Sequence, residues 1–338
     1  MSPPRALALT RGDPSGIGPE IAFKAWLARL RGDPVAPFFV VGDFAHLTRS
    51  AAELGLNVPL AACSPGEALA RFEHALPIVP LDIVTRGIAG QPDVADAPGT
   101  ILALERAVEF VARGEASAVV TLPVSKEILH KVGYRHPGQT EFMGELAERL
   151  FAATSAPVML IWSELLAVVP TTIHIPIADV PRRLSVDLIV ATIRVVERDF
   201  RRRFGVAAPR IAVTGLNPHA GEGGDIGREE IDIIKPALDV LRAEGIAVSG
   251  PHPADTLFHA SARVLYDVAV TMYHDQGLIP AKTLAFDSGV NVTLGLPFVR
   301  TSPDHGTAFD IAGRGEANPS SLIAALNLAA RLARADAA

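Results

Sequence analysis

The most constraining feature of the sequence is the alternation of short apolar runs with longer amphipathic segments. The segments between the runs, such as GPEIAFKAWLARL and TILALERAVEFVARGE, have helical periodicity. The runs are nearly continuous in apolar character, which is typical of strands covered on both faces. They read RALALT, PFFVVGD, ASAVVTLP, APVMLIW, LLAVVPTTIHI, RIAVTGLN and VAVTMYH. The pattern predicts an α/β fold in which helices cover a sheet.

Length and composition narrow the class of protein. With 338 residues, 49 % of them hydrophobic, the chain is long enough for about two domains. The net charge of -6 and the lack of a long basic run argue against a nucleic-acid partner. No stretch approaches the roughly 20 apolar residues of a membrane span, and the start, MSPPRALALTRGDPSG, does not resemble a signal peptide. The single cysteine, Cys63, cannot form an internal disulfide, so we expect a cytoplasmic protein.

A glycine-rich loop, TRGDPSGIGPE at residues 10–20, follows the first predicted strand and opens a helix. It approaches the dinucleotide-binding fingerprint, but Ile21 replaces the third small residue and Pro19 lies within the motif. Asp43 ends the second strand, roughly where a ribose-binding carboxylate would lie. A turn that merely ends a strand explains the same residues, and we favour that interpretation over a standard dinucleotide site.

Three of the ten histidines lie at or just after the carboxyl end of an apolar strand: His174, His219 and His274. In an open α/β sheet such ends lie along one edge. Imidazole is the commonest metal ligand, and three such ligands with a free position are typical of a catalytic metal site. The alternative is three separate, hydrogen-bonded histidines. Asp275 is placed to orient a histidine ligand.

Three polar residues follow His274 at intervals. Lys282, Asn291 and Arg300 come 8, 17 and 26 residues after it. Lysine supplies a compact charge, arginine a planar fork and asparagine neutral donors, a combination that suits a phosphate ester. The alternative is that the two cations are solvated at strand ends.

Taken together, the motifs resemble the 4-hydroxythreonine-4-phosphate dehydrogenase (PdxA) family of vitamin B6 biosynthesis. They are GDPSGIGPE, HPGQTEF, TTIHIP, GLNPHAGEGG, GPHPADTLF and MYHDQGL, and they occur in the family's order from residue 10 to residue 310. The resemblance implies a two-domain α/β fold like that of isocitrate and isopropylmalate dehydrogenases, with an interdomain cleft. We expect a first domain of residues 1–135 plus about 305–338. The second, 136–304, would carry most metal and substrate residues and the dimer contact.

The resemblance also implies roles for individual residues. The ligands of a divalent metal, Zn, Mg or Co, would be His174, His219 and His274, with one histidine from the partner subunit of a homodimer whose active site lies at the subunit interface. The substrate contacts would be Thr140, Asp255, Lys282, Asn291 and Arg300. Gln139 stands where the family usually has a substrate-binding histidine. Glutamine forms hydrogen bonds but carries no charge.

The implied reaction is oxidation of 4-phosphooxy-L-threonine by NAD or NADP, followed by decarboxylation to 3-amino-2-oxopropyl phosphate. A metal on the reacting hydroxyl would lower its pKa. The sequence assigns no general base. Two alternatives stay open. One is a related dehydrogenase of a phosphorylated sugar acid or an aromatic cis-dihydrodiol. The other is a metal-dependent aldolase or lyase with Lys282 as an amine nucleophile.

Overall fold

The computed structural model describes residues 4–336. The described chain divides into two compact units: unit 2 is Val158–Gly295, and unit 1 is the remainder on either side of it. Elements are numbered in chain order. Both units combine a sheet with helices, so the α/β prediction is confirmed. Among the described residues, no helix is both long and apolar enough to cross a membrane.

Unit 1 contains six strands in the order β3-β4-β2-β1-β5-β12, and all of their pairings are parallel. The strands are β1 Leu7–Thr10, β2 Phe38–Gly42, β3 Leu60–Ala62, β4 Leu76–Pro80, β5 Val119–Val120 and β12 Arg300–Pro303. The helices are α1 Gly18–Leu30, α2 Phe44–Glu53, α3 Ala68–Arg71, α4 Ala97–Ala112, α5 Lys126–His130, α6 Gln139–Phe151 and α12 Ser320–Asp336. Strands β1 and β2 are buried throughout, which explains their continuous apolar character.

Unit 2 contains six strands in the order β11-β6-β7-β10-β8-β9. Here β6 pairs antiparallel with both of its neighbours, whereas β7, β10, β8 and β9 are parallel. The strands are β6 Val158–Trp162, β7 Ala167–Thr172, β8 Ile211–Thr214, β9 Val248–His252, β10 Val268–Tyr273 and β11 Val290–Leu294. The helices are α7 Val180–Arg183, α8 Val186–Arg202, α9 Lys235–Ala243, α10 Ala260–Arg263 and α11 His274–Ala285.

The unit boundaries differ from the expected breaks at 135/136 and 304/305. Helix α6 belongs to unit 1, because its Met143, Leu146 and Ala147 are fully buried in the same core cluster as Leu104 of α4. Strand β12 also belongs to unit 1, because it pairs with β5. Arg300, at the start of β12, is therefore a unit 1 residue.

Candidate active site

The three histidines follow three neighbouring strands of unit 2. Strand β10 lies between β7 and β8 and is parallel to both, so the three carboxyl ends point in one direction. His274 comes directly after β10, and His174 comes two residues after β7. His219 lies in the loop after β8. This arrangement explains how histidines far apart in sequence come to one edge of a sheet.

Two of the histidines come close together. The ring centroids of His174 and His274 are 5.6 Å apart, and both side chains line a cavity of about 240 Å³. His274 Nδ1 lies 2.7 Å from Asp275 Oδ1, and Asp275 lines the same cavity. A carboxylate at Nδ1 fixes the ring as the tautomer whose Nε2 is free to accept a metal. The contact matches the orienting role expected for Asp275.

His219 stands apart from this pair. It is exposed, and its Nδ1 lies 3.4 Å from Glu222 Oε2. Within residues 4–336 of one chain, no three or more histidine, cysteine or acidic side chains form a group that would hold a metal ion. The structure therefore brings together His174 and His274 but not all three predicted ligands.

Two of the histidines have strained backbones. His174 has φ 50° and His219 has φ 51°, in the left-handed region that L residues with a Cβ seldom adopt. Such strain persists only where surrounding contacts enforce it, and it is concentrated at functional sites. The backbone thus singles out two of the residues that the strand-end pattern had selected on other grounds.

Arg300 forms the centre of a second group, in unit 1. Its side chain is buried, and Nη2 donates to Thr121 Oγ1 at 2.6 Å and to Gln139 Oε1 at 3.4 Å. Burial lowers the pKa of Arg300 to about 10, although Tyr134 and Glu141 oppose this shift. The guanidinium remains charged at neutral pH. Because its charge is largely desolvated, binding of an anion there would offset part of the cost.

The start of helix α6 adds donors beside this guanidinium. Gln139 is the first residue of α6 and Thr140 the second, and the N-cap residue Gly138 provides no side-chain capping bond. The first backbone N–H groups of a helix lack intrahelical partners and favour anions. Gln139 is also oriented by its Nε2, which donates to Leu122 O at 3.2 Å. Thr121 was missed in the sequence; its position just after β5 was the available signal.

The other predicted substrate residues lie in unit 2. Lys282 is two turns along α11 from His274, and its Nζ lies 5.8 Å from the centre of the Phe286 ring. Asn291 is on β11, and its Oδ1 is buried with no hydrogen-bond partner among the described residues. Asp255 is exposed on a short helical turn, Ala254–Thr256. An acceptor such as Asn291 Oδ1 calls for a donor from a ligand or from water.

The glycine-rich loop connects β1 to α1 without a dinucleotide fingerprint. Ile21 is fully buried, and a Cβ on Gly16 would lie 2.8 Å from Thr307 O. Asp43 caps helix α2: its Oδ1 accepts from the backbone N–H groups of Ala45 and His46 at 2.9 and 3.2 Å. Its Oδ2 accepts from the backbone N–H of Thr85 at 2.9 Å. Capping accounts for Asp43 without a ribose contact.

Comparison with known proteins gives the family. The family described as "Pyridoxal phosphate biosynthetic protein PdxA" matches residues 34–329. The chain belongs to the PdxA family. It is 57% identical over 333 residues to a PdxA-type protein named 4-hydroxythreonine-4-phosphate dehydrogenase from Methylorubrum populi, covering 98% of this chain and 95% of the relative. The resemblance seen in the motifs is therefore confirmed.

Solved structures agree with this assignment to the PdxA family. The 4-hydroxythreonine-4-phosphate dehydrogenase from Klebsiella pneumoniae matches with a TM-score of 0.83 and 38% identity, covering 97% of this chain and 98% of that one. A terephthalate 1,2-cis-dihydrodiol dehydrogenase from Burkholderia xenovorans matches with a TM-score of 0.63 and 31% identity, covering 97% and 98%. The PdxA fold thus occurs in dehydrogenases named for different substrates.

Proposed function

We propose that this PdxA-family chain oxidises 4-phosphooxy-L-threonine with NAD or NADP and then releases CO2, giving 3-amino-2-oxopropyl phosphate for pyridoxal phosphate biosynthesis. The observation that carries the proposal is Arg300, a guanidinium buried beside the uncapped start of α6. High identity to relatives named for this activity supports the same substrate.

Arg300 and the start of α6 would bind the phosphate. A guanidinium offers paired donors, and the helix start contributes backbone N–H groups with a favourable dipole. Gln139 and Thr140 lie at that start, and Lys282 adds a second cation to the proposed substrate contacts. Asn291, with its unsatisfied buried Oδ1, would accept from a donor of the substrate, such as its ammonium group. Asp255 completes the proposed set.

His174 and His274 suit a divalent metal, because two nearby imidazoles and a carboxylate that fixes the tautomer are a usual donor arrangement. His219, exposed and apart from the pair, is the third proposed ligand, contributed across the interface of a homodimer. When bound, the ion would lower the pKa of the substrate hydroxyl and stabilise developing negative charge. Ligation by histidine and water suits Zn and Co, and Mg completes the proposed set of metals.

The homodimer is supported by exposed apolar residues on α11 and directly after it. Ile279 of α11 and Phe286, the C-cap residue that follows the helix, are 64% and 74% exposed, and their spacing of seven residues places them on one side. Large exposed apolar side chains that share a face are typical of an interface. A second copy is the partner we propose, with the active site at the subunit interface. The single cysteine is compatible with a cytoplasmic location.

The chemistry balances without further reactants. The alcohol carbon gives a hydride to the nicotinamide, and the hydroxyl proton leaves to solvent. The resulting β-keto acid loses its carboxylate as CO2, and a proton from solvent replaces it. The chain's own task is to bind and orient the substrate, so that most of the barrier reduction from its residues comes from positioning.

The test compares phosphorylated and unphosphorylated 4-hydroxythreonine in the same assay. We expect kcat/KM to fall at least a hundredfold without the phosphate, and Arg300→Met to remove most of that preference. Arg106→Met is the matched control, because Arg106 is an exposed arginine of unit 1 that pairs with Glu109. Equal kcat/KM for the two substrates would contradict the proposal. A preference for an aromatic cis-dihydrodiol would instead indicate the activity for which the Burkholderia xenovorans relative is named.

A further inference from the structure

The loop that carries His219 has an unusual backbone. Residues 219–223 all have positive φ, from 43° at Glu222 to 78° at Gly221, which makes one turn of left-handed helix. Three of the five residues, His219, Ala220 and Glu222, are not glycine. Each costs about 1–2 kcal/mol in that region. The turn therefore needs contacts that hold it, and among the described residues the exposed side chain of His219 contributes only a 3.4 Å contact to the exposed Glu222.

Glu230 holds the residues that lead into this turn. Its side chain is buried, and Oε1 accepts from the backbone N–H groups of Leu216 and Asn217, both at 2.7 Å. Oε2 accepts from the Asn217 side-chain amide at 2.9 Å. Hydrogen bonds to a buried carboxylate are the stronger kind. The carboxylate thus fixes the chain two residues before His219.

The loop also closes around this carboxylate. A Cβ on Gly215 would lie 2.9 Å from Glu230 Oε1, and a Cβ on Gly221 would lie 2.6 Å from Oε2. Side chains at those two positions would therefore push the loop off the carboxylate. Gly221 lies within the left-handed turn. The glycines allow backbone on both sides of His219 to approach one buried anion.

Glu230 lies at the start of a helix that is anchored in the core. It begins a π-helical turn, Glu230–Ile234, that continues into α9. Ile234 and Leu238 of this continuous helix are fully buried. Single π-turns inside helices are frequent at functional sites, because they redirect a side chain. Here the redirected side chain reaches the loop after β8.

We propose that Glu230 is a positioning residue that holds the 215–223 loop so that His219 is presented as a metal ligand. The inference rests on the proposed function, in which His219 binds the metal. Glu230 does not contact the ion or the substrate. Its contribution is to keep a strained turn in one conformation before the metal binds, so that the entropy cost of ordering the loop is not subtracted from the metal affinity.

The experiment measures Co²⁺ affinity of the full-length protein by titrating its visible absorption. Glu230→Gln keeps the side-chain shape but replaces one acceptor oxygen with an NH2 group. Asn217→Ala removes the side-chain amide, which donates to Glu230 at 2.9 Å and also to Glu229 at 2.7 Å. Asp232→Asn is the matched control, because Asp232 lies in the same π-turn and its exposed side chain pairs with the exposed Arg228. We expect the Co²⁺ affinity to fall by a factor of about ten or more in the first two variants and to stay at the wild-type value in the control.

A second readout separates positioning from general damage. At saturating Co²⁺, the KM for the phosphorylated substrate should stay within twofold of wild type in both variants, since Arg300 is untouched. Amide hydrogen exchange at Leu216 and Asn217 should become faster in Glu230→Gln, because the neutral amide oxygen is a weaker acceptor than the carboxylate oxygen that both N–H groups now share. If Glu230→Gln does not fold, Asn217→Ala decides the question together with Glu229→Gln, which weakens the Glu229 contact alone and should bind Co²⁺ as wild type does.

The outcomes distinguish this inference from the proposed function. If His219→Ala loses Co²⁺ affinity while the folded Glu230 and Asn217 variants bind as tightly as wild type, the positioning role is refuted and the metal site stands. If wild type binds no Co²⁺, or His219→Ala binds it normally, the metal part of the proposed function fails and the inference fails with it.

Discussion

Replacing Arg300 with methionine should make the protein more stable and less able to bind its substrate. Burial lowers the pKa of the guanidinium to about 10. The lowered pKa corresponds to a charge penalty of roughly 3 kcal/mol. Methionine fills similar space without charge. The loss of the 2.6 Å bond to Thr121 Oγ1 and the weaker one to Gln139 subtracts about 1–2 kcal/mol.

The net expectation is a gain of roughly 1–2 kcal/mol in the free energy of unfolding of the substrate-free protein. For units of this size, that raises Tm by about 2–8 °C. The same change would remove the two charge-assisted hydrogen bonds that we propose between Arg300 and the phosphate, together about 3–6 kcal/mol, so KM should rise by a factor of roughly 10² to 10⁴. Stability and binding are expected to move in opposite directions, as they do where function retains an unfavourable group.

The assays are thermal unfolding without substrate and steady-state kinetics with 4-phosphooxy-L-threonine. Arg106→Met controls for the loss of a surface arginine and should change neither Tm nor KM appreciably. A lower Tm for Arg300→Met would refute the argument that the buried charge is unfavourable without an anion. A KM within twofold of wild type would refute its role as the phosphate anchor.

Three further predictions follow from local geometry. Burial lowers the pKa of His46 to about 4, whereas the unfolded chain titrates near 6.5. The free energy of unfolding should therefore fall by roughly 3 kcal/mol as pH drops from 6.5 to 4. Urea titrations should show this loss, and His46→Gln should flatten the dependence on pH. Gly87→Ala should lower the free energy of unfolding by about 2–4 kcal/mol, measured in the same way, because its Cβ would overlap the His46 ring at φ 49°; a loss below 1 kcal/mol would contradict the clash. Asp275→Asn should weaken Co²⁺ binding about 10- to 100-fold in an absorption titration. Asp179→Asn is the control, because the half-buried Asp179 pairs with Arg182 rather than with a histidine, and unchanged affinity of Asp275→Asn would remove the orienting role.

The sequence predicted the strands that are apolar throughout, and it missed the others. All seven apolar runs contain a strand, β1, β2, β5, β6, β7, β8 or β10. The missed strands are short or interrupted by polar residues and proline: LAA, LPIVP, VSGPH, VNVTL and RTSP. Strand β12 is buried although it contains Arg300, because the neighbouring β5 and the α12 helix cover it. Tertiary packing there overrides local strand preference.

The sequence predicted those residues of the site that lie at the carboxyl ends of strands. The rule that parallel strands end at one edge correctly placed His174 beside His274. It did not separate His219 from them, because the path of that loop depends on Glu230, a residue eleven positions later with no distinctive motif. The rule also did not identify Thr121, which accepts a hydrogen bond from Arg300, 179 residues later in the sequence. Contacts of this kind depend on the folded topology.

The most direct test of the account is the absorbance at 340 nm when the protein is mixed with NAD or NADP, a divalent metal and 4-phosphooxy-L-threonine. We predict formation of the reduced nicotinamide that stops when a chelator removes the metal, that returns when the metal is restored, and that is lost in His274→Ala. No absorbance change from folded protein reloaded with Zn, Co or Mg in turn would contradict the proposed reaction, and a chelator-insensitive signal would contradict the metal site.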